Sequence, residues 1–203
     1  MKVTIRSLSP SDKEYQNSIL EFASLLPNHN DMIKVIPAPK RNNNSIVLWI
    51  DFNITQALLG SDLEETNDPH TGWTTIINSP VRPRGKAAIF KIPHHGSENA
   101  HNHDVWQEMV ENSPVSILTS KIGGQGSIPK ETDIARIKKN SSEIYCTKVP
   151  HSQKFKRDHT VEKMLKVIAK KRTILGGDIG QIQIRFSDMS NIRVNCKYPA
   201  EKI

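Results

Sequence analysis

A chain of 203 residues, 36% hydrophobic and 24% charged, has enough apolar material for one buried core, so residues 1–203 are read as a single domain. No apolar run approaches a membrane span and MKVTIRSLSPSDKE lacks an apolar leader region, so the sequence predicts a cytoplasmic chain with no membrane partner. The net charge of +7 is local: residues 148–172 hold nine Lys/Arg against two acids, and the rest balances at nineteen of each sign.

In chain order, Val3 to Leu8 reads as a strand, and Ser9-Pro10-Ser11-Asp12 starts a helix. Its Tyr15, Ile19, Phe22, Ala23 and Leu26 recur at helical spacing and predict a buried stripe. Residues 27–44 are polar and Pro/Asn-rich, hence a loop. SIVLWID and ITQALLG predict a hairpin around Phe52-Asn53. Residues 62–83 are acidic and then turn-rich, with Trp73 as their anchor in the core. AAIFKI (87–92) is a short apolar strand. A helix over 100–112 would bury Val105, Trp106, Met109 and Val110. VSILTS is a strand followed by the Gly-rich IGGQGS, and Pro129 suits the first turn of a helix through Lys138.

EIYCTK, GQIQIRF and IRVNC complete the strands, the last two joined by a polar turn near Asp188. This order predicts an α/β fold, a mixed sheet flanked by helices with antiparallel hairpins at both ends. Cys146 and Cys196 lack any CxxC partner and read as small buried residues. In the basic stretch, Val161, Met164, Leu165 and Ile168 have helical spacing, while Lys163, Lys166 and Lys170 line another face. The simple reading is a solvated amphipathic helix; the functional one is contact with phosphates of a nucleic acid.

Two stretches carry candidate chemistry. In ALLGSDLEE a hydrophobic strand ends at Gly60-Ser61, and Asp62 follows at its edge, where a rigid backbone can aim a carboxylate into a cleft as a bridging metal ligand requires. KIPHHGS repeats that architecture with His94 and His95 beside Gly96. Imidazole suits zinc, manganese or iron, and neighbouring residues on a turn point apart, so one histidine would ligate while the other serves the substrate or supports the site.

Together and in this order, LLGSD and KIPHHGS resemble the second half of metallo-β-lactamase-fold hydrolases. The nearest branch is that of bacterial DNA-uptake competence proteins, whose pattern runs N-S-hydrophobic, LLxGDxE, then K-hydrophobic-P-H-H-G-S. NNNSIVLWI (42–50) fits the first element, ALLGSDLEE the second and KIPHHGS the third. The resemblance implies the C-terminal half of a two-sheet αββα sandwich with metals at the strand edges. It also implies activation of water by one or two divalent cations, zinc or manganese, for attack on a phosphodiester or similar ester. Carried onto this chain, Asp62 would bridge the metals, His95 would ligate one, His94 would sit beside substrate, and Lys91 and Ser97 would support the loop.

The family's H-x-H-x-D-H signature has no counterpart here, and the chain begins about where the second half of that fold begins. Asp62 and His95 make two protein ligands, whereas a catalytic zinc usually has three plus water. The sequence therefore predicts a protein partner or preceding segment that brings the missing half, or a self-dimer, with this chain inactive alone. A non-catalytic interaction module on the same fold is the competing expectation. HNHD (101–104) lacks the signature's final His and reads as exposed polar residues. ILGGD (174–178) lies after the histidines and reads as a turn.

Overall fold

A computed structural model describes residues 2–27, 41–66, 68–121, 127–149, 158–168, 180–187 and 191–203. Its strands are β1 (Thr4–Ser7), β2 (Leu48–Asp51), β3 (Gln56–Leu59), β4 (Ala87–Lys91), β5 (Val110–Leu118), β6 (Glu143–Cys146), β7 (Gln181–Phe186), β8 (Ile192–Lys197) and β9 (Glu201–Lys202). Its helices are α1 (Asp12–Leu25), α2 (Gly72–Asn78), α3 (Glu131–Lys138) and α4 (His159–Ile168). One sheet runs in the order β1-β2-β3-β4-β5-β6-β9, and β7 and β8 pair separately. β1, β2 and β3 are antiparallel neighbours, β3 to β6 are parallel, and β9 is antiparallel to β6. The α/β class, the mixed sheet and the β2–β3 hairpin are those expected; β7 and β8 pair antiparallel as a separate ribbon, and the predicted turn near Asp188 lies outside the described residues.

The centre of the sheet explains the most apolar strand. Ala87, Ala88, Ile89 and Phe90 of β4 are all buried, the pattern of a parallel strand covered on both faces. Around it Leu58, Leu63, Trp73, Trp106, Met109, Leu118, Ile137 and Ile144 form the core. Trp73 is fully buried as predicted, and its indole donates to the Leu63 carbonyl, so no polar atom is stranded there. Phe90 meets Trp106 edge-to-face at 4.9 Å. Cys146 is buried as expected and Cys196 half-buried, both as free thiols.

Two elements depart from expectation. The helix over 100–112 is shorter: a helical turn spans Val105–Met109, and β5 begins at Val110. Val105, Trp106, Met109 and Val110 are buried as predicted, but Val110 pairs with Ala87 in the sheet, so strand pairing takes over the backbone. The second departure is in α1. Its start is a capping box, with Ser11 accepting from the Glu14 N–H and Glu14 accepting from the Ser11 N–H. The predicted buried stripe, however, is exposed: Tyr15 at 62%, Ile19 at 50%, Phe22 at 61% and Leu26 at 55%.

The reason is that α1 is held by its polar side. Glu14, only 3% exposed, accepts from the Gly72 N–H at the start of α2. Ser11 donates to the His70 carbonyl, and Asn44 donates to the Ser18 hydroxyl. Residues 41–44 form a short 3-10 turn, and the rest of the predicted 27–44 loop beyond Pro27 lies outside the described residues. Residues 122–126 of the Gly-rich loop and the whole of 174–178 also lie outside them. No helix among the described residues is long and apolar enough to cross a membrane.

Candidate functional site

The parallel pairing of β3 with β4 places Leu59 opposite Lys91, so the two strands deliver their following loops to the same sheet edge. Two backbone hydrogen bonds then join the loops: Gly60 N–H to the Lys91 carbonyl at 2.9 Å and His94 N–H to the Ser61 carbonyl at 3.0 Å. The approach at Gly60 leaves no room for a side chain, since a Cβ there would lie 2.9 Å from both the Lys91 oxygen and Pro93 Cβ. Asp62 and the two histidines are thereby brought to one edge from two separate stretches.

The backbone of both loops is left-handed where side chains disfavour it. Ser61 has φ 49°, His94 φ 40° and His95 φ 56°, followed by Gly96 at 79°. Each such non-glycine residue costs of order 1–3 kcal/mol and persists because its surroundings enforce it. One enforcer is Arg136 of α3, which donates to the Gly96 carbonyl at 2.7 Å and to Asp133 at 2.9 Å. Asp133, itself buried, accepts from the Lys130 N–H and so fixes the start of α3.

The two histidines have different surroundings. His95 Nδ1 lies 2.8 Å from the Thr119 carbonyl, just past β5. A carbonyl only accepts, so Nδ1 carries the proton and Nε2 keeps the lone pair a metal would use. His94 faces polar groups with both nitrogens: Nδ1 is 3.2 Å from Glu64 Oε1, close but not aligned as a hydrogen bond, and Nε2 is 3.4 Å from Asn42 Nδ2. Asn42 also donates to Glu64 at 2.7 Å. The rings are 5.9 Å apart and tilted by 55°.

Asp62 is half-buried at this edge, and its charge acts on Lys91. Burial lowers the Lys91 pKa from its ordinary value, and the Asp62 carboxylate partly restores it. The Lys91 ammonium donates to the Ile92 carbonyl at 2.7 Å. His101, expected to be exposed, is instead half-buried in a recess with Trp73, Trp106 and Arg136, and His103 is exposed. Burial, then the Arg136 charge, lower the His101 pKa. Lys163 and Lys166 are exposed on α4, and Lys170 lies outside the described residues.

Sequence reasoning on Asp62, Lys91, His94 and His95 left out Asn42, Glu64, Thr119 and Arg136. Glu64 could have been found, because it occupies the acidic position of the LLxGDxE pattern. Nothing in the sequence marks Arg136 or the Thr119 carbonyl, which reach the turn through tertiary packing. Among the described residues, no group of three or more His, Cys, Asp and Glu side chains could hold a metal. Comparison with protein-family models, curated proteins and solved structures finds no match.

Proposed function

We propose that the chain is one piece of a split metal-dependent hydrolase, the C-terminal half of a metallo-β-lactamase αββα sandwich. The observation that carries this reading is the convergence of Asp62 and His95, from two loops hydrogen-bonded to each other, with His95 fixed in the tautomer that presents Nε2. The left-handed backbone at Ser61 adds support, for the family pattern LLxGDxE has glycine there and glycine adopts that conformation freely.

The donor set fits a divalent cation in kind and falls short in number. Asp62 and His95 would hold zinc or manganese, and a cytoplasmic partner bearing H-x-H-x-D-H would bring the remaining ligands. When bound, the metal supplies activation of water for attack on a phosphodiester or similar ester. His94, backed by Glu64 and Asn42, is left to contact substrate, and Lys91 supports the loop beneath Asp62. The exposed Lys163 and Lys166 suit the phosphates of a nucleic acid.

The test is hydrolysis of bis-(p-nitrophenyl) phosphate by this chain with the product of a neighbouring gene, with zinc or manganese added. Activity that needs both chains and disappears in Asp62→Ala and in His95→Ala is the expected result. The same turnover in both variants, or none with any neighbour, defeats the proposal.

A second reading, a non-catalytic interaction module, is favoured by the sheet's edge strand β1, where Ile5 and the preceding Val3 are exposed and no described strand pairs with its outer side. Full biological activity of the chain carrying both Asp62→Ala and His95→Ala would select it.

A further inference from the structure

We propose that His101 is a proton switch on the His94-His95-Gly96 turn: its neutral ring lets Arg136 hold that turn, and its imidazolium displaces Arg136. The coupling arises in a shared recess. Arg136, its side chain 21% exposed, donates Nη2 to the Gly96 carbonyl at 2.7 Å and Nη1 to Asp133 at 2.9 Å. Its Nε is buried and meets no acceptor among the described residues. His101 lines the same recess, walled by Phe90, Ile92, Trp106 and Ile137. The space left there is about 10 Å³, enough for a single water, so a second cation cannot be hydrated inside it.

The backbone fixes His101 beside this recess. Its N–H donates to the Glu98 carbonyl at 3.0 Å. The next residue, Asn102, donates to Glu65 at 2.7 Å and accepts from the N–H groups of Asp104 and Val105. The charges acting on the ring come from Arg136 on α3, with Asp133 engaged behind it, and from Glu98 and His103 in its own loop. Of these, Glu98 alone favours the imidazolium, and it is exposed, where solvent screens it.

Arginine stays protonated in proteins, so the imidazole is the group that gives up its charge. Burial, and then Arg136, hold the His101 pKa below its ordinary value. The folded chain thus binds this proton less tightly than the unfolded chain does. The stability is present above about pH 6.5 and lost as pH falls through the lower folded value. The turn that Arg136 holds has left-handed His94 and His95, so it relaxes once the guanidinium leaves. On the hydrolase reading, acid then withdraws the candidate ligand His95; the coupling itself needs no metal.

NMR titration of the full chain locates the His101 midpoint, expected below about 6.5. Urea unfolding of wild type, Arg136→Gln, His101→Gln and the double variant is then compared on either side of that midpoint. Above it, Arg136→Gln should lower the folding constant about tenfold or more, the effect of losing a charged hydrogen bond. Below it, that loss should shrink severalfold, whereas in the His101→Gln background it should be the same on both sides. Exchange of the Arg136 Nε proton with water is a second readout that needs no substitution of Arg136. Base-catalysed exchange by itself slows on acidification, so faster exchange below the midpoint, absent in His101→Gln, is the expected result. An Arg136→Gln penalty equal on both sides, or exchange that does not accelerate, would overturn the proposal, because the protonated ring has then swung to solvent and left Arg136 in place. A midpoint at or above about 6.5 would overturn it as well. None of these measurements involves metal, Asp62 or His95, so failure here leaves the hydrolase reading standing.

Discussion

Gly60 and Ser61 sit side by side at the end of β3 and make opposite demands on the chain. Gly60 has ordinary backbone angles but no space, whereas Ser61 has a left-handed backbone that a side chain resists. Gly60→Ala should therefore cost about 1–3 kcal/mol through overpacking against Lys91 and Pro93. Ser61→Gly should be neutral or stabilising by up to ~1 kcal/mol, because relief of strain outweighs the entropy glycine adds to the unfolded chain. Urea denaturation midpoints check both signs. At the same scale, Glu64→Gln removes the carboxylate beside His94, so on the proposed reading it should lower turnover by the assembled pair while leaving its metal content unchanged, checked by rate and metal analysis together. The placement of Asp62, His94 and His95 just past strand ends was legible in the sequence, because a strand-end Asp and His-His-Gly are local patterns. The stitching of their loops was not, since it depends on the parallel register of strands about thirty residues apart.

At the level of elements, α3 acts as a clamp on the His-His-Gly turn through Arg136. Arg136→Leu leaves Asp133 buried without its ion pair and frees the Gly96 carbonyl, and should cost about 1.5–3 kcal/mol in thermal or urea unfolding. A second element-scale prediction concerns β6. Tyr145 and Glu143 lie two residues apart on one face of the strand, and the phenol donates to Glu143 at 2.7 Å. Burial, then that carboxylate, push the Tyr145 pKa up to about 12. The folded state thus holds this proton more tightly than the unfolded chain does. The stabilisation is present below about pH 10 and lost as pH rises toward 12, and Glu143→Gln should bring the Tyr145 transition down, read by absorbance at 295 nm. Periodicity located α1 correctly and assigned its apolar stripe to the wrong side. Spacing reports that a stripe exists, but Glu14 and Ser18 had polar partners across the chain that no local pattern reveals. The boundary at Val110 was missed for the same reason, its strand partner Ala87 being distant in sequence.

Across the whole molecule, one mixed sheet brings the Asp62 and His95 loops to a common edge, and Ile5 of β1 and the apolar stripe of α1 are exposed. The charge balance sharpens this picture, because the +7 excess lies in residues 148–172 and leaves the remaining surface near neutrality. On the proposed reading Asp62 and His95 are half of a metal site, and the chain needs a complement to fill it. The most direct test is the metal content of this chain purified alone and in complex with an H-x-H-x-D-H-bearing chain. The account predicts negligible tightly held zinc or manganese alone, about two ions per complex, and loss of that metal in Asp62→Ala. A complex holding no more metal than the separate chains, or an Asp62→Ala complex that keeps it, would contradict the assignment.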